Sequence, residues 1–519
     1  MPRTLSLLSF LGALVLLPLL PGLASADQSI DLKPKAPGTV VFTTSGDYRL
    51  NFSLLDDFAV DAESPATTHG QTRYLDQRLR VRFDLKAGRA KFSTEWDLLT
   101  GQLAGDVWNL GSLDRRRRDI HGAITPSGFT PRRASVLLRW ADMDVEAGLM
   151  TSHWGLGMLA NDGAHDPMFG RTDLADRVLR VRMTARPLHW RANPGPDANK
   201  LMVTGALDVV FDDDAATLAD GQVAMQLVGS VVHHDPGVAT HGVYAVYRNQ
   251  REPNDTGKTS VVVVDGYFDR SLSLGKSASL RLAGEVAGIF GSTSRALNYN
   301  ARDALAVRSI GATGLVSLAV LDKKLQIHAR LAYASGDDDG EDGTSTSFNF
   351  DRNFGSGSVL FDQVLGSVAL ASHALITDPE ISGQPPRGID ALAGEGAAGS
   401  VFFFQPVLQG TPLPFLDFKG GALIAVSSSD YRQPFYSSRA GGTAQNFHDE
   451  PTDGRMLGTE LNWSVTLGGD LPLKAEAAPK LAATFQIQGG HLLVGSALRA
   501  AADESQVIHH VQMTGRFRW

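Results

Sequence analysis

The sequence predicts an all-β protein: a transmembrane antiparallel up-and-down β-barrel of about eighteen strands over residues 40–519, with long outer loops and a short helix in the longest loop. Three observations predict it. Segments of alternating apolar and polar residues recur along the chain, the sidedness of a wall with lipid outside and water inside. Short and long connections take turns, so long loops gather at one end of a barrel and nearly every tight turn at the other. The last strand also runs to the final residue, with Val507, Val511, Met513, Phe517 and Trp519 on one face and His510, Gln512, Thr514, Arg516 and Arg518 on the other.

The elements follow in chain order. Residues 1–26 read as a secretory signal peptide, with Arg3 as its positive region, Leu5 to Leu20 as its apolar stretch and Ala24-Ser25-Ala26 before the cleavage point. Pro18 and Pro21 cut that stretch below the roughly 20 residues of a membrane helix. Residues 27–39 form a short periplasmic lead to a single barrel domain, 40–519. Strands are predicted at 40–55, 71–87 and 90–101, the last two joined at Gly88-Arg89, then at 132–141 and 143–152 around a turn near Ala141 to Asp144. Further strands fall at 176–187, 200–211, 221–233, 240–250, 259–274 and 277–290, with a turn at Gly275-Lys276. The remainder are 305–321, 324–335, 396–408, 415–428, 455–470, 479–495 and 505–519, with turns at Leu321 to Lys324 and Gly410 to Pro414. The long loops are 102–131, 153–175, 291–304, 336–395 and 429–454. Within 336–395, Leu360, Phe361, Val364, Leu365 and Val368 follow helical spacing, and a loop of that length folds over or into the barrel mouth as a lid or plug.

Composition narrows the function classes. The mature chain has no apolar run long enough for a membrane helix, so a membrane-spanning form must be a closed barrel whose backbone groups satisfy one another. The absence of cysteine removes disulfides, a lipoprotein anchor and thiolate metal sites. With 56 acidic against 48 basic residues, the net charge of −8 argues against nucleic acid as a partner.

Alternation assigns faces. In 71–87, Leu75, Leu79, Val81, Phe83 and Leu85 point to lipid, and Asp76, Arg78, Arg80, Arg82, Asp84 and Lys86 to the lumen. In the next strand Lys91, Ser93, Glu95 and Asp97 point inward, and a turn at Gly88-Arg89 sets Arg82 opposite Glu95 and Arg80 opposite Asp97. The same counting turns Arg133, Arg139, Arg180, Arg182, Arg186, Arg281, Arg330, Arg516 and Arg518 inward, with acids at Asp208, Glu285 and Glu460. Two readings stay open: a salt-bridged wall that keeps the barrel rigid, or an electropositive conduit that favours anions. The lumen and selectivity residues are therefore Arg78, Arg80, Arg82, Arg139, Arg180, Arg182, Arg330, Glu95 and Asp97. Arg115, Arg116, Arg117 and Arg118, four adjacent cations in an outer loop, either meet lipopolysaccharide phosphates or fold inward as a constriction. Asp337, Asp338 and Asp339 offer a weak cation loop that fails the calcium pattern, with Asp342 where glycine belongs and Phe348 where glutamate belongs. No metal and no cofactor are expected.

Two segments carry a resemblance. His153-Trp154-Gly155-Leu156-Gly157-Met158 and Ala334-Ser335-Gly336-Asp337-Asp338-Asp339 resemble stretches of alginate-export-type porins and, more closely, of a group of uncharacterised large outer-membrane barrels of Gram-negative bacteria. The likeness implies an eighteen-stranded porin with an arginine-lined lumen and a loop restricting the pore. Glu95 and Asp97 depart from that pattern by placing acid inside.

The expected function is passive diffusion of small or anionic solutes, acidic saccharides among them, through the outer membrane, with no enzymatic activity. The alternative is a surface binding or scaffold protein with a plugged lumen. His153 and His165 near Asp162, Asp166 and Asp173 keep a rim hydrolase in view, but the chain has neither Gly-x-Ser-x-Gly nor His-Glu-x-x-His. Expected partners are outer-membrane lipid and lipopolysaccharide, a small anionic solute, and the barrel-assembly machinery, which would read Phe517 and Trp519 as an insertion signal.

Overall fold

The structure is a computed structural model that describes residues 40–519 except 61–67, 69, 107–128, 173–174, 194, 298–302, 383–397, 453, 472–480 and 501–505. The predicted signal peptide and lead, and Arg115 to Arg118, lie outside the described residues.

Alternating residues form long strands because each strand can bury one face and leave the other to lipid. In chain order these are β1 (Val40–Leu55), β2 (Thr72–Ala87), β3 (Ala90–Gly105), β4 (Thr130–Arg139), β5 (Met143–Thr151), β6 (Arg177–Ala185), β7 (Leu201–Asp212), β8 (Val223–Asp235) and β9 (Ala239–Arg251). They continue with β10 (Lys258–Ser273), β11 (Ser279–Thr293), β12 (Leu305–Val320), β13 (Leu325–Ala334), β14 (Thr344–Ser345), β15 (Val401–Leu413), β16 (Leu416–Ser427), β17 (Met456–Leu471), β18 (Leu481–Val494) and β19 (Val507–Arg518). β14 is a two-residue piece of loop lying parallel to β12. Setting it aside, the nineteen-stranded sheet leaves eighteen strands, each antiparallel to its neighbours, and β19 pairs back onto β1 to close the barrel. Closure leaves no strand edge for lipid to meet.

Tight turns sit at one end. Gly88, at φ +56°, makes the two-residue turn between β2 and β3, a conformation open to glycine at little cost. The predicted turn at Gly410 to Pro414 is shorter in the structure. Thr411 and Leu413 keep their strand partners, so β15 runs to Leu413 rather than ending near 408, and it starts at Val401 rather than 396. β3 likewise extends past 101 to Gly105, with register shifts opposite Asp76 and Leu79. At the other end lie the long loops 152–176, 335–400 and 428–455.

Lipid accounts for the exterior. Phe42, Val181, Leu207, Met225, Val243 and Val286 are each more than 55% exposed and face outward from their strands. A continuous girdle of such residues would be an aggregation surface in water and is a solvation surface in a bilayer. The terminal Trp519 exchanges two backbone hydrogen bonds with Gly46, and its ring lies where a side chain on Gly46 would stand.

The largest apolar cluster is inside the barrel. Inward residues of β15 to β19 and β1 (Phe403, Leu423, Leu492, Ile508 and Leu55) pack with Phe348, Phe350, Phe354, Leu360, Val364 and Val368 of the longest loop. That loop forms a π-turn, Leu360–Val364, leading into an α-helix, Leu365–Thr377, as its helical spacing predicts. The helix thus enters the barrel.

Candidate functional site: the lumen and its two inward loops

The β2 to β7 sector of the wall carries charge. The register sets Arg80 opposite Asp97 and Arg82 opposite Glu95. Arg80 grips Asp97 with two hydrogen bonds of 2.6 and 2.9 Å, the bidentate geometry that suits guanidinium and carboxylate. Glu95 is engaged elsewhere, accepting from Arg132 at 2.9 Å, while Arg82 turns to Asp84 at 3.1 Å and stays 3.8 Å from Glu95. Arg78 reaches Asp47 at 3.1 Å. Farther along, Arg180 binds Asp208 with bonds of 2.7 and 2.6 Å, Arg182 meets Glu146, and Arg139, 63% exposed at the turn end, lies 3.2 Å from Asp144. Six of the seven arginines singled out in the sequence therefore hold a carboxylate.

Arg330 differs. It donates to the carbonyl of Gly355 at 2.7 Å and stacks on Phe354 at 3.8 Å, so the loop packs against it. Arg132 was missed by counting because a bulge between Glu95 and Trp96 turns both Arg132 and Arg133 inward, and strict alternation allows only one of them.

Buried acids of the wall hold the loops. Glu460, fully buried on β17, accepts from the backbone N–H groups of Ser358 at 2.6 Å, Val359 at 3.0 Å and Leu360 at 2.8 Å. It satisfies the amides at the start of the inward helix, where a negative charge also complements the helix dipole. Glu285 of β11 accepts from the N–H of Leu156, and Asp265 of β10 accepts from the indole of Trp154 at 2.9 Å. The His153–Met158 segment therefore lies against β10 and β11. The same loop reaches the opposite wall: Asp166 accepts from Arg49 of β1 at 2.9 Å and from Arg516 of β19, and Arg171 reaches Asp76 of β2 at 2.8 Å. Loop 152–176 thus crosses the lumen. Burial opposes the charge of Asp166, yet Arg49 and Arg516 outweigh it and hold the carboxyl down at about 2.

The two inward loops meet in the middle. Asp351 N–H donates to Met158 O at 2.8 Å, and the Asn161 amide donates to Asn353 O at 3.3 Å. Nearby, Asp212, Asp213 and Asp214 each have an arginine: Arg177 at 2.8 Å, Arg248 at 2.5 Å and Arg352 at 2.8 Å. Asp176 and Asp351, both buried, lie together with Asp214, a carboxylate oxygen of each within 4.8 Å of the others. Burial first and neighbouring carboxylates second push both well above the ordinary aspartate value.

A polar cavity of about 190 Å³ remains between loop 152–176 and the wall of β1 and β16 to β19. Arg49, Arg171, Lys419, Arg516 and Arg518 line it with Asp166, among the amides and hydroxyls of Gln486, Gln488, Gln512, Thr466, Thr484 and Thr514. Among the described residues, Lys419 and Arg518 make no ion pair, whereas Arg49, Arg171 and Arg516 do. Alternation reaches Arg49 and Lys419 by the same counting that found Arg80. No local pattern marks Arg171, which sits in a loop. Asp337 and Asp339 spend their oxygens on backbone N–H groups of their own loop, and Asp338 lies 3.3 Å from Arg455, so the three carboxylates do not converge.

Fold and lumen together define an outer-membrane β-barrel with two loops folded into its lumen: an even number of closed strands, tight turns at one end and long loops at the other. No protein-family model matches the chain, and no curated protein matches it. Among solved structures it is similar to OccK8 (OprE) of Pseudomonas aeruginosa, at 11% identity and TM-score 0.47, covering 92% of this chain and 98% of that one. It is also similar to OpdK of the same organism, solved with vanillate, at 11% identity and TM-score 0.46, covering 92% and 98%. OccK2 (OpdF) gives 11% identity and TM-score 0.45, covering 92% and 97%. The barrel assignment itself stands on the strand register.

Proposed function

We propose that the barrel is a passive channel for small anionic solutes, with acidic saccharides as the class that suits it best. The observation that carries this reading is the cavity beside loop 152–176, where Lys419 and Arg518 stand without ion pairs while the arginines of the β2 to β7 wall are matched by acids. Unmatched cations at a narrowing lower the barrier for negative charge, and matched ones contribute little net field. The surrounding glutamines and threonines offer donors and acceptors to sugar hydroxyls. The likeness of His153–Met158 and Ala334–Asp339 to alginate-export-type porins points to the same solute class. In the membrane, Phe517 and Trp519 serve the assembly machinery as the insertion signal, and the outer loops meet lipopolysaccharide.

The inward helix favours one other reading, a surface binding or scaffold protein whose lumen is plugged. Planar-bilayer recording of the purified barrel under a salt gradient separates the two. The channel reading expects steady conductance, a reversal potential on the anion side, and current reduced by an acidic oligosaccharide. Silence of correctly folded protein would leave the scaffold.

A further inference from the structure

Loop 152–176 carries a side-chain cluster that the channel reading does not use. His153, Asp162 and His165 bring their ligating atoms within 4.8 Å of one another. The Nδ1 atoms of both histidines lie 3.6 Å from the same oxygen, Oδ1 of Asp162. That is longer than a hydrogen bond. It is close to the edge of a coordination tetrahedron, about 3.4 Å when the bonds from the ion are about 2.1 Å long.

The backbone around the cluster is held in place. Ala164 N–H donates to Asp162 Oδ1 at 3.0 Å, Gly163 N–H to Asn161 Oδ1 at 3.0 Å, and the Thr172 hydroxyl to His165 O at 3.1 Å. Arg132 donates to the carbonyl of Asp162, and Glu95 and Asp97 offset its charge. The two histidine rings stack with centroids 4.7 Å apart, and the His165 side chain is 72% exposed, so an ion can reach the cluster from water.

We propose that His153, Asp162 and His165 form a binding site for a divalent transition-metal ion of the zinc class. Two imidazole nitrogens and one carboxylate oxygen make a borderline donor set that favours zinc over calcium or magnesium, which prefer oxygen ligands throughout. Three protein ligands leave a fourth position for water or for an anionic group of a passing solute. The site does not depend on the channel reading.

The test is calorimetric titration of zinc chloride into the chelator-stripped, detergent-folded barrel. One ion per chain is expected, undisturbed by excess magnesium, with affinity falling about tenfold or more in His165→Ala, His153→Ala and Asp162→Asn. His165 is mostly exposed, so its variant should fold, and faster gel mobility before boiling checks that it has. Cobalt titrated in place of zinc should give the visible spectrum of a tetrahedral site, absent in His165→Ala. No binding heat with zinc, or equal affinity in wild type and His165→Ala, would overturn the proposal. So would loss of binding in His491→Ala with retention in His165→Ala, since that places the ion at the His491–His509 pair.

Discussion

The lumen wall of β2 to β7 and that of β15 to β19 face the same interior, yet one is a ladder of arginines and acids and the other begins apolar. On β15 to β19 the inward residues near the long loops are Phe403, Leu423, Leu492 and Ile508, and those near the turns are Lys419, Thr466, Gln486, Arg516 and Arg518. The apolar half is where the inward helix packs, and the polar half is where the cavity lies. On β2 to β7 the described inward positions carry paired charges, with Arg80–Asp97, Arg180–Asp208 and Arg182–Glu146 in register, beside a small apolar patch at Val178 and Val210. An inward side chain is chosen by what covers it, a loop or water.

The comparison breaks most readily at Glu460. Replacing it with alanine leaves three buried N–H groups without an acceptor, each costing on the order of 1–3 kcal/mol, and removes the charge at the helix start. Glu460→Ala should free the helix from the wall, raise single-channel conductance severalfold and expose the 346–377 segment to protease. Unaltered conductance and protection would show that the helix neither narrows the pore nor depends on that anchor.

A smaller effect should follow from charge. Reversing Lys419 and Arg518 to Glu is expected to move the reversal potential toward cations, whereas Arg139, Arg180 and Arg182 changed together to Gln should move it less, because their partner acids already cancel them. The opposite ranking would assign selection to the β2 to β7 wall.

The loop junction should respond to pH. Asp176 and Asp351 have folded values well above their ordinary 3.8, so the folded junction favours protonated carboxyls. Its contribution is complete below that ordinary value and is lost as pH rises through the folded values. Protection factors of the 346–360 segment, exchange rates corrected for base catalysis, should therefore fall as pH rises above 3.8, and Asp351→Asn should weaken that fall. Protection factors that are flat with pH in the wild type would contradict a protonated junction.

The smallest effect concerns the outer face. Gly46→Val forces the Trp519 ring aside and should lower the temperature at which the barrel unfolds, a cost of about 1–3 kcal/mol, with conductance unchanged. A change in conductance would mean that the strain reaches the lumen.

Much of the wall is legible in the sequence. Period-two alternation is local, so it assigned faces and, with a two-residue turn at Gly88-Arg89, placed Arg80 opposite Asp97. It failed at Arg132, where a bulge breaks the period, and it could not tell that Arg330 binds a loop carbonyl while Arg180 binds a wall carboxylate, since both simply point inward. The inward apolar residues Phe403 and Leu492 also ran against the lipid-out, water-in pattern, and only the packed helix explains them.

By itself the sequence determined the strands, their faces and the loop parity, because each follows from neighbours in the chain or from the period of two. Tertiary structure decided which loops turn inward and which cations remain unmatched. Those outcomes rest on partners far apart in sequence, Glu460 with the amides of Ser358 to Leu360 and Asp166 with Arg49 and Arg516, for which a local pattern carries no signal.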